Sequence, residues 1–219
     1  MGHAMYGVYP AKVVDVEDPD AQGRVKISLP WLEAVDGRYE AWARLATLMA
    51  GNNRGTWFVP DLGDEVLVAF EQGDPSHPYV LGALWNGVDQ PPEVMDGTHS
   101  NPVRAICTRS GLRIRFSDEK ERPEILIEVP GGGNLTLRRK GPQVELCDHH
   151  GNELAFDARG VSIRCSAALE IDATKVNLSA GSVTVDTGKA RFSGVVQCDT
   201  LIANSVVASS YTPGAGNIW

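Results

Sequence analysis

LRIRFSDEKERPEILIEVPGGGNLTLRRKGPQVELCDHHGNELAFDARGVSIRCSAALEIDATKVNLSAGSVTVDTGKARF, residues 112–192, repeats one short pattern: an apolar residue, a spacer, an apolar residue. The pairs are Leu112 with Ile114, Ile125 with Ile127, Leu135 with Leu137, Val144 with Leu146, and Leu154 with Phe156. Val161 with Ile163, Leu169 with Ile171, Val176 with Leu178, Val183 with Val185, and Ala190 with Phe192 complete the series. Because side chains alternate across a strand, each pair reads as the inward face of a short strand. Starts fall roughly ten residues apart at first and seven or eight from Leu154 onward. Each repeat offers a single narrow apolar row, too little to bury alone, so the repeats must stack and wind around copies of the same chain. If each of the ten pairs adds one strand layer, the shaft is roughly 50 Å long. The loops between them hold turn formers, as in Pro130-Gly131-Gly132-Gly133-Asn134, Asp148-His149-His150-Gly151-Asn152 and 157–160.

The first ninety residues read differently. Runs at Val13–Val16, Arg24–Leu29, Ala41–Leu48, Glu65–Phe70 and Tyr79–Trp85 are rich in β-branched and aromatic residues. Turn chemistry at Asp18-Pro19-Asp20, Gly51-Asn52-Asn53, Gly63-Asp64 and Gly73-Asp74-Pro75 separates them. Five short strands in that length predict a small closed barrel of the OB type. No segment sustains a 3.6-residue period, the nearest being Ala43–Ala50, so helix content is expected to be low.

Composition narrows the function classes. The 219 residues carry a net charge of −8 and a pI near 5.1, which opposes a nucleic-acid backbone as the main partner. No apolar run approaches the ~20 residues of a membrane helix, and residues 1–10 lack a signal-peptide core. Met5 is an alternative start, with Met1–Ala4 a possible remnant of cloning. Cys107, Cys147, Cys165 and Cys198 lie far apart without a CxxC pair, against metal or redox use, and Cys165 reads as a small apolar filler.

Individual polar clusters also have plain readings. Gly23-Arg24 reads as a turn or bulge, and Glu17, Asp18 and Asp20 as a polar turn lacking the spacing of a calcium loop. Asp64 and Glu65 are adjacent and point to opposite faces, so turn capping is expected rather than acid–base chemistry. His149 and His150 are expected to diverge from an exposed turn. Trp31, Trp42, Trp57 and Trp85 are assigned to core and interface.

Several ordered motifs then carry a resemblance. Val16-Glu17-Asp18-Pro19-Asp20-Ala21-Gln22-Gly23-Arg24-Val25-Lys26-Ile27 with Pro30-Trp31-Leu32, Trp42-Ala43-Arg44-Leu45, Gly55-Thr56-Trp57-Phe58-Val59-Pro60, and Gly73-Asp74-Pro75 through Trp85-Asn86-Gly87 resemble the OB domain of contractile-injection spike proteins. That family includes phage baseplate assembly protein V, the VgrG spike of type VI secretion and the spikes of extracellular contractile injection systems. The tail from Ala190 to Trp219 resembles spike ends of the same group. The resemblance implies an all-β fold, an N-terminal five-stranded OB-fold barrel followed by an intertwined trimeric β-helix shaft. It divides the chain into an OB domain at 1–92, a linker at 93–105, a β-helix spike at 106–209 and a tip segment at 210–219.

A structural, membrane-puncturing spike at the baseplate of a phage tail or tail-like particle is the function implied, with no enzymatic activity and no cofactor or metal. The expected partners are two further copies of the chain, a separate hub protein at the OB end, a PAAR-type cone protein at the tip and, transiently, the target membrane. A separate hub is expected because the sequence starts almost at the OB domain, and residues 89–106 are too short to hold the lysozyme-like insert of some relatives. No His-x-His iron site follows His150. Shaft-core positions are Val161, Ile163, Leu169, Ile171, Val176, Leu178, Val183 and Val185, and Tyr211, Pro213, Asn217, Ile218 and Trp219 are the tip contacts. Against this stand a nucleic-acid-binding OB protein, opposed by the charge, and a β-helix acyltransferase, opposed by a spacing other than six and the lack of a shaft histidine.

Overall fold

The computed structural model describes residues 4–32, 39–95, 97 and 99–210. They divide into two compact units, Met1–Leu169 and Glu170–Trp219. The first opens with a barrel of five strands: β1 (Val8–Asp15), β2 (Val25–Ser28), β3 (Glu40–Leu45), β6 (Glu65–Phe70) and β7 (Pro78–Ala83), with the two-residue strands β4 (Ala50–Gly51) and β5 (Arg54–Gly55) forming a hairpin between β3 and β6. The strand order β1-β2-β3-β7-β6 closes on itself, with β3 and β7 parallel and every other neighbour antiparallel. This is the topology of an OB barrel. Register shifts at Val13/Asp15 and Leu67/Val68 bend the strands enough to close it.

Alternation decides which side chains fill the barrel. In β6 the sequence EVLVAF buries every second residue, Val66, Val68 and Phe70. Ala11, Val13, Val25, Ile27, Leu29, Ala43 and Val80 complete a core of mostly small aliphatic residues. None of the four barrel tryptophans belongs to it. Trp31 stacks on Tyr9 with ring centroids 5.3 Å apart, and Trp57 and Trp85 are largely exposed. The core half of their assignment is therefore corrected: a barrel this narrow has no interior room for an indole. Residues 43–50 end β3 and enter the small hairpin, with no helix there.

Seven further strands form one antiparallel meander: β8 (Val103–Cys107), β9 (Arg113–Ser117), β10 (Glu124–Glu128), β11 (Asn134–Arg138), β12 (Val144–Cys147), β13 (Glu153–Asp157) and β14 (Gly160–Arg164). The first six expected apolar pairs thus lie on this sheet or in its turns. The described residues 165–210 contain no strand, so the last four pairs form no ladder within one chain.

Aspartates fix the turns. Asp18 accepts the backbone N–H groups of Asp20, Gln22 and Arg24 and two bonds from the Arg24 guanidinium. Gly23 sits at φ +72°, and a Cβ there would lie 3.1 Å from the Trp57 ring. The Gly23-Arg24 turn is as read, while the bulge itself sits at Val13/Asp15. Asp148 likewise accepts from the His150 and Asn152 backbones and the Asn152 amide, and Asp157 from the Arg159 backbone.

Candidate functional site

The registers of the meander place its apolar pairs in line. One row runs Ile106, Ile114, Ile127, Leu135, Leu146, Leu154, Ile163, each opposite the next across the ladder. A second runs Arg104, Phe116, Ile125, Leu137, Val144, Phe156, Val161. Seven apolar residues in the first row and six in the second share one face. Ile106, Ile114, Phe116, Ile127, Leu137, Leu146, Phe156, Val161 and Ile163 are all counted among the exposed large hydrophobics, Ile163 at 58%. A continuous apolar sheet face of this kind marks an interaction surface.

The opposite face carries charge in the same register. Arg138 reaches Glu145 at 2.8 Å and Glu124 at 3.5 Å, Arg164 meets Glu153 at 3.0 Å, and Glu93 lies 3.5 Å from Arg115 and 3.7 Å from Arg113. Thr136, Ala155 and Ser117 are buried on the same face. A face tiled with ion pairs suits water, so the two faces of the sheet have opposite solvent preferences.

Of the shaft-core positions, Val161 and Ile163 lie on the apolar face of β14, while Leu169, Ile171, Val176, Leu178, Val183 and Val185 are exposed and outside any strand. Cys165 is exposed in the single chain. Tyr211, Pro213, Asn217, Ile218 and Trp219 lie outside the described residues. Sequence reading missed β8, whose Arg104 and Ile106 extend both rows, because Val103–Cys107 shows one clear apolar pair position only.

Among the described residues, chemistry-bearing groups form no catalytic set. Asp64 caps the turn by accepting the Asp61 N–H at 2.8 Å, as read, while Glu65 accepts from the Asn86 amide at 2.9 Å. His149 and His150 sit in the β12–β13 turn, but their rings lie 3.7 Å apart instead of diverging. No third ligand joins them, and no group of three or more His, Cys, Asp or Glu side chains gathers among the described residues. Burial, reinforced by Glu145 and Glu153, pushes the Cys147 thiol up, which keeps it protonated and unreactive.

On the barrel, Lys26 and Arg24 lie over Trp42 at 5.1 and 5.7 Å. Arg24 is tied to Asp18 and Asp20, and Lys26 is 3.7 Å from Asp15. The basic groups beside this aromatic surface are thus already offset by carboxylates, unlike a phosphate-tracking groove.

Comparison with known proteins agrees with the barrel topology. Residues 9–85 match the type VI secretion system/phage-baseplate injector OB domain. The type VI secretion system spike protein VgrG3 of Vibrio cholerae is 26% identical over 136 residues, 60% of this chain and 13% of that protein. The spike protein VgrG1b of Pseudomonas aeruginosa is 32% identical over 118 residues, 50% of this chain and 16% of that protein. The actin cross-linking toxin VgrG1 of Vibrio cholerae is 29% identical over 115 residues, 50% of this chain and 10% of the toxin. The chain spans less than a fifth of the length of these relatives. Residues 9–85 thus carry an injector OB domain of the type VI secretion system/phage-baseplate kind, and the chain is similar to type VI spike proteins over half its length or more.

Proposed function

We propose that the chain is the structural central spike of a contractile injection machine, its OB barrel set against a hub and residues 106–209 wound with two further copies into a trimeric shaft. The observation that carries this reading is the apolar face of β8–β14. Fully burying a Val, Leu, Ile or Phe side chain is worth about 1.5–3 kcal/mol, so covering the exposed half of thirteen such residues is worth on the order of 10 kcal/mol per chain. Three copies turned apolar face inward bury that surface and leave the Arg–Glu ladders outward. Residues 165–210, which have no ladder of their own, obtain their backbone partners from neighbouring chains in such an arrangement.

A spike of this kind works by stiffness. The force comes from the machine, and the shaft resists it through strands without free edges. Hydrolysis and group transfer have no part in the reading. Tyr211, Pro213, Asn217, Ile218 and Trp219 belong, in the same proposal, to a tip that holds a PAAR-type cone protein, with the target membrane met only in transit. Light scattering coupled to size exclusion tests the core of it. The expected mass is three times the 23.6 kDa of the chain, unchanged on dilution through the micromolar range. A species at the single-chain mass refutes it.

A further inference from the structure

Two features of the barrel remain unused by the shaft, and they complement each other. The first is the β4–β5 hairpin. Its legs carry Leu48 (97% exposed), Met49, Trp57 (76% exposed) and Phe58, all pointing away from the barrel core. The hairpin is not frayed: Thr56 N–H donates to the Met49 carbonyl at 3.0 Å and the Thr47 hydroxyl to the Thr56 carbonyl at 2.9 Å. At its tip Arg54 pairs through its backbone with Gly51, and its side chain makes no ion pair or hydrogen bond with the described residues. A rigid loop that displays four large apolar residues and one free cation has the composition of an interface anchor.

The second feature is a groove of about 530 Å³ on the same barrel, walled by Pro10, Pro30, Trp31 and Val88. Glu65, Asp89 and Lys12 also line it, giving it one net negative charge. Glu65 and Asp89 share a single donor, the Asn86 amide, at 2.9 and 3.0 Å, and neither meets a cation within ion-pair distance among the described residues. Trp31 is held in place by stacking on Tyr9 and by donating its indole N–H to the Pro10 carbonyl at 3.3 Å, so the wall is pre-formed.

We infer that the hairpin of one copy seats in this groove of the next copy, with Leu48, Met49, Trp57 and Phe58 on the Trp31–proline wall and Arg54 facing Asp89 and Glu65. The occupant is a second copy because knob and socket are both present on one barrel, both largely apolar and opposite in sign of charge. Such a contact is heterologous, and under a three-fold axis it closes into a ring with no knob or socket left over. It rests on the trimeric reading above, which supplies the axis and a high local concentration of the partner barrel.

Leu48→Cys and Val88→Cys test it in a background with Cys107, Cys147, Cys165 and Cys198 changed to serine. Both positions are solvent-exposed, so neither change disturbs the fold. A short bis-maleimide should convert most of the double variant to cross-linked dimer and trimer on a denaturing gel, while each single variant stays at the one-chain mass. Arg54→Glu should lower the yield several-fold, and adding Asp89→Lys should restore it. A trimer by light scattering whose double variant cross-links only within one chain, or not at all, overturns this inference and leaves the trimer standing. A parent protein that is monomeric overturns both.

Discussion

Replacing Leu146 by aspartate separates a sheet that ends at its own surface from one built to be covered. Leu146 lies mid-row between Leu135 and Leu154 and is 49% exposed in the single chain. Half of the ~2–3 kcal/mol for burying a leucine is therefore already realised by the lone chain, and about 1 kcal/mol per chain remains for assembly. Aspartate forfeits that and must either bring a charge into a dry interior or arrive protonated. Protonation sets the ceiling: a carboxyl with an ordinary pKa of about 3.9 is neutralised at pH 7 for about 4 kcal/mol. Three chains together lose on the order of 15 kcal/mol, enough to abolish assembly at micromolar concentration. Because the carboxyl's pKa is raised in the assembled state, the penalty exists above its free value and fades as the pH falls toward 4. Light scattering should show Leu146→Asp as a folded monomer at pH 7 that recovers the oligomer near pH 4, whereas Leu146→Lys should fail to assemble at either pH. Ser162→Asp, on the opposite face, should assemble normally. An oligomer of Leu146→Asp at pH 7 with wild-type melting would refute the argument.

The remaining predictions concern the barrel and the tail. Arg24 and three backbone N–H groups hold the Asp18 carboxyl well below the usual carboxylate range, so its contribution is present above about pH 4 and lost only as the pH falls through the lower folded value. Thermal melts of Asp18→Asn should lie below wild type at pH 6, with the gap narrowing below about pH 4. Tyr39 donates its hydroxyl to the Pro75 carbonyl at 2.5 Å and packs edge-on against Phe70, and burial, helped by Asp74, pushes its pKa up to about 12. Tyr39→Phe should cost about 1 kcal/mol in denaturant unfolding and remove a late phase, near pH 12, of the ultraviolet phenolate titration. Deleting residues 211–219 should abolish capture of a cognate cone protein in pull-down while leaving the oligomer mass unchanged.

The barrel was legible because its strands obey period two and its turns announce themselves. Glu65–Phe70 was delimited to the residue, since EVLVAF alternates cleanly between Gly63-Asp64 and Gly73-Asp74. The start of β1 was not, because Val8–Ala11 includes Pro10, which reads as a break although a strand with only one hydrogen-bonded side at that point tolerates it. The interaction face was legible as pairs but not as rows. Alternation told which residues share a face, and the pairing of Leu135 with Leu146 rather than a neighbour follows from turn length, which the composition of a Gly-rich loop leaves open. The exposed apolar hairpin went unread since Leu48-Met49 and Trp57-Phe58 each hold two adjacent apolar residues, a pattern that fits neither a half-buried strand nor a helix.

The meander also sets an order of events in folding. Each of its strands pairs with the next in sequence across a short loop, so the chain closes the sheet through local contacts and waits for no other molecule. Residues 165–210 have no such neighbour within the chain. Folding should therefore separate into a fast phase that is first order in protein and a slower one whose rate climbs with concentration, and the interval between them is when the apolar face stands open to unwanted contacts. A chain of this design is made safest where its copies emerge close together, so that the second phase begins before the face has met anything else.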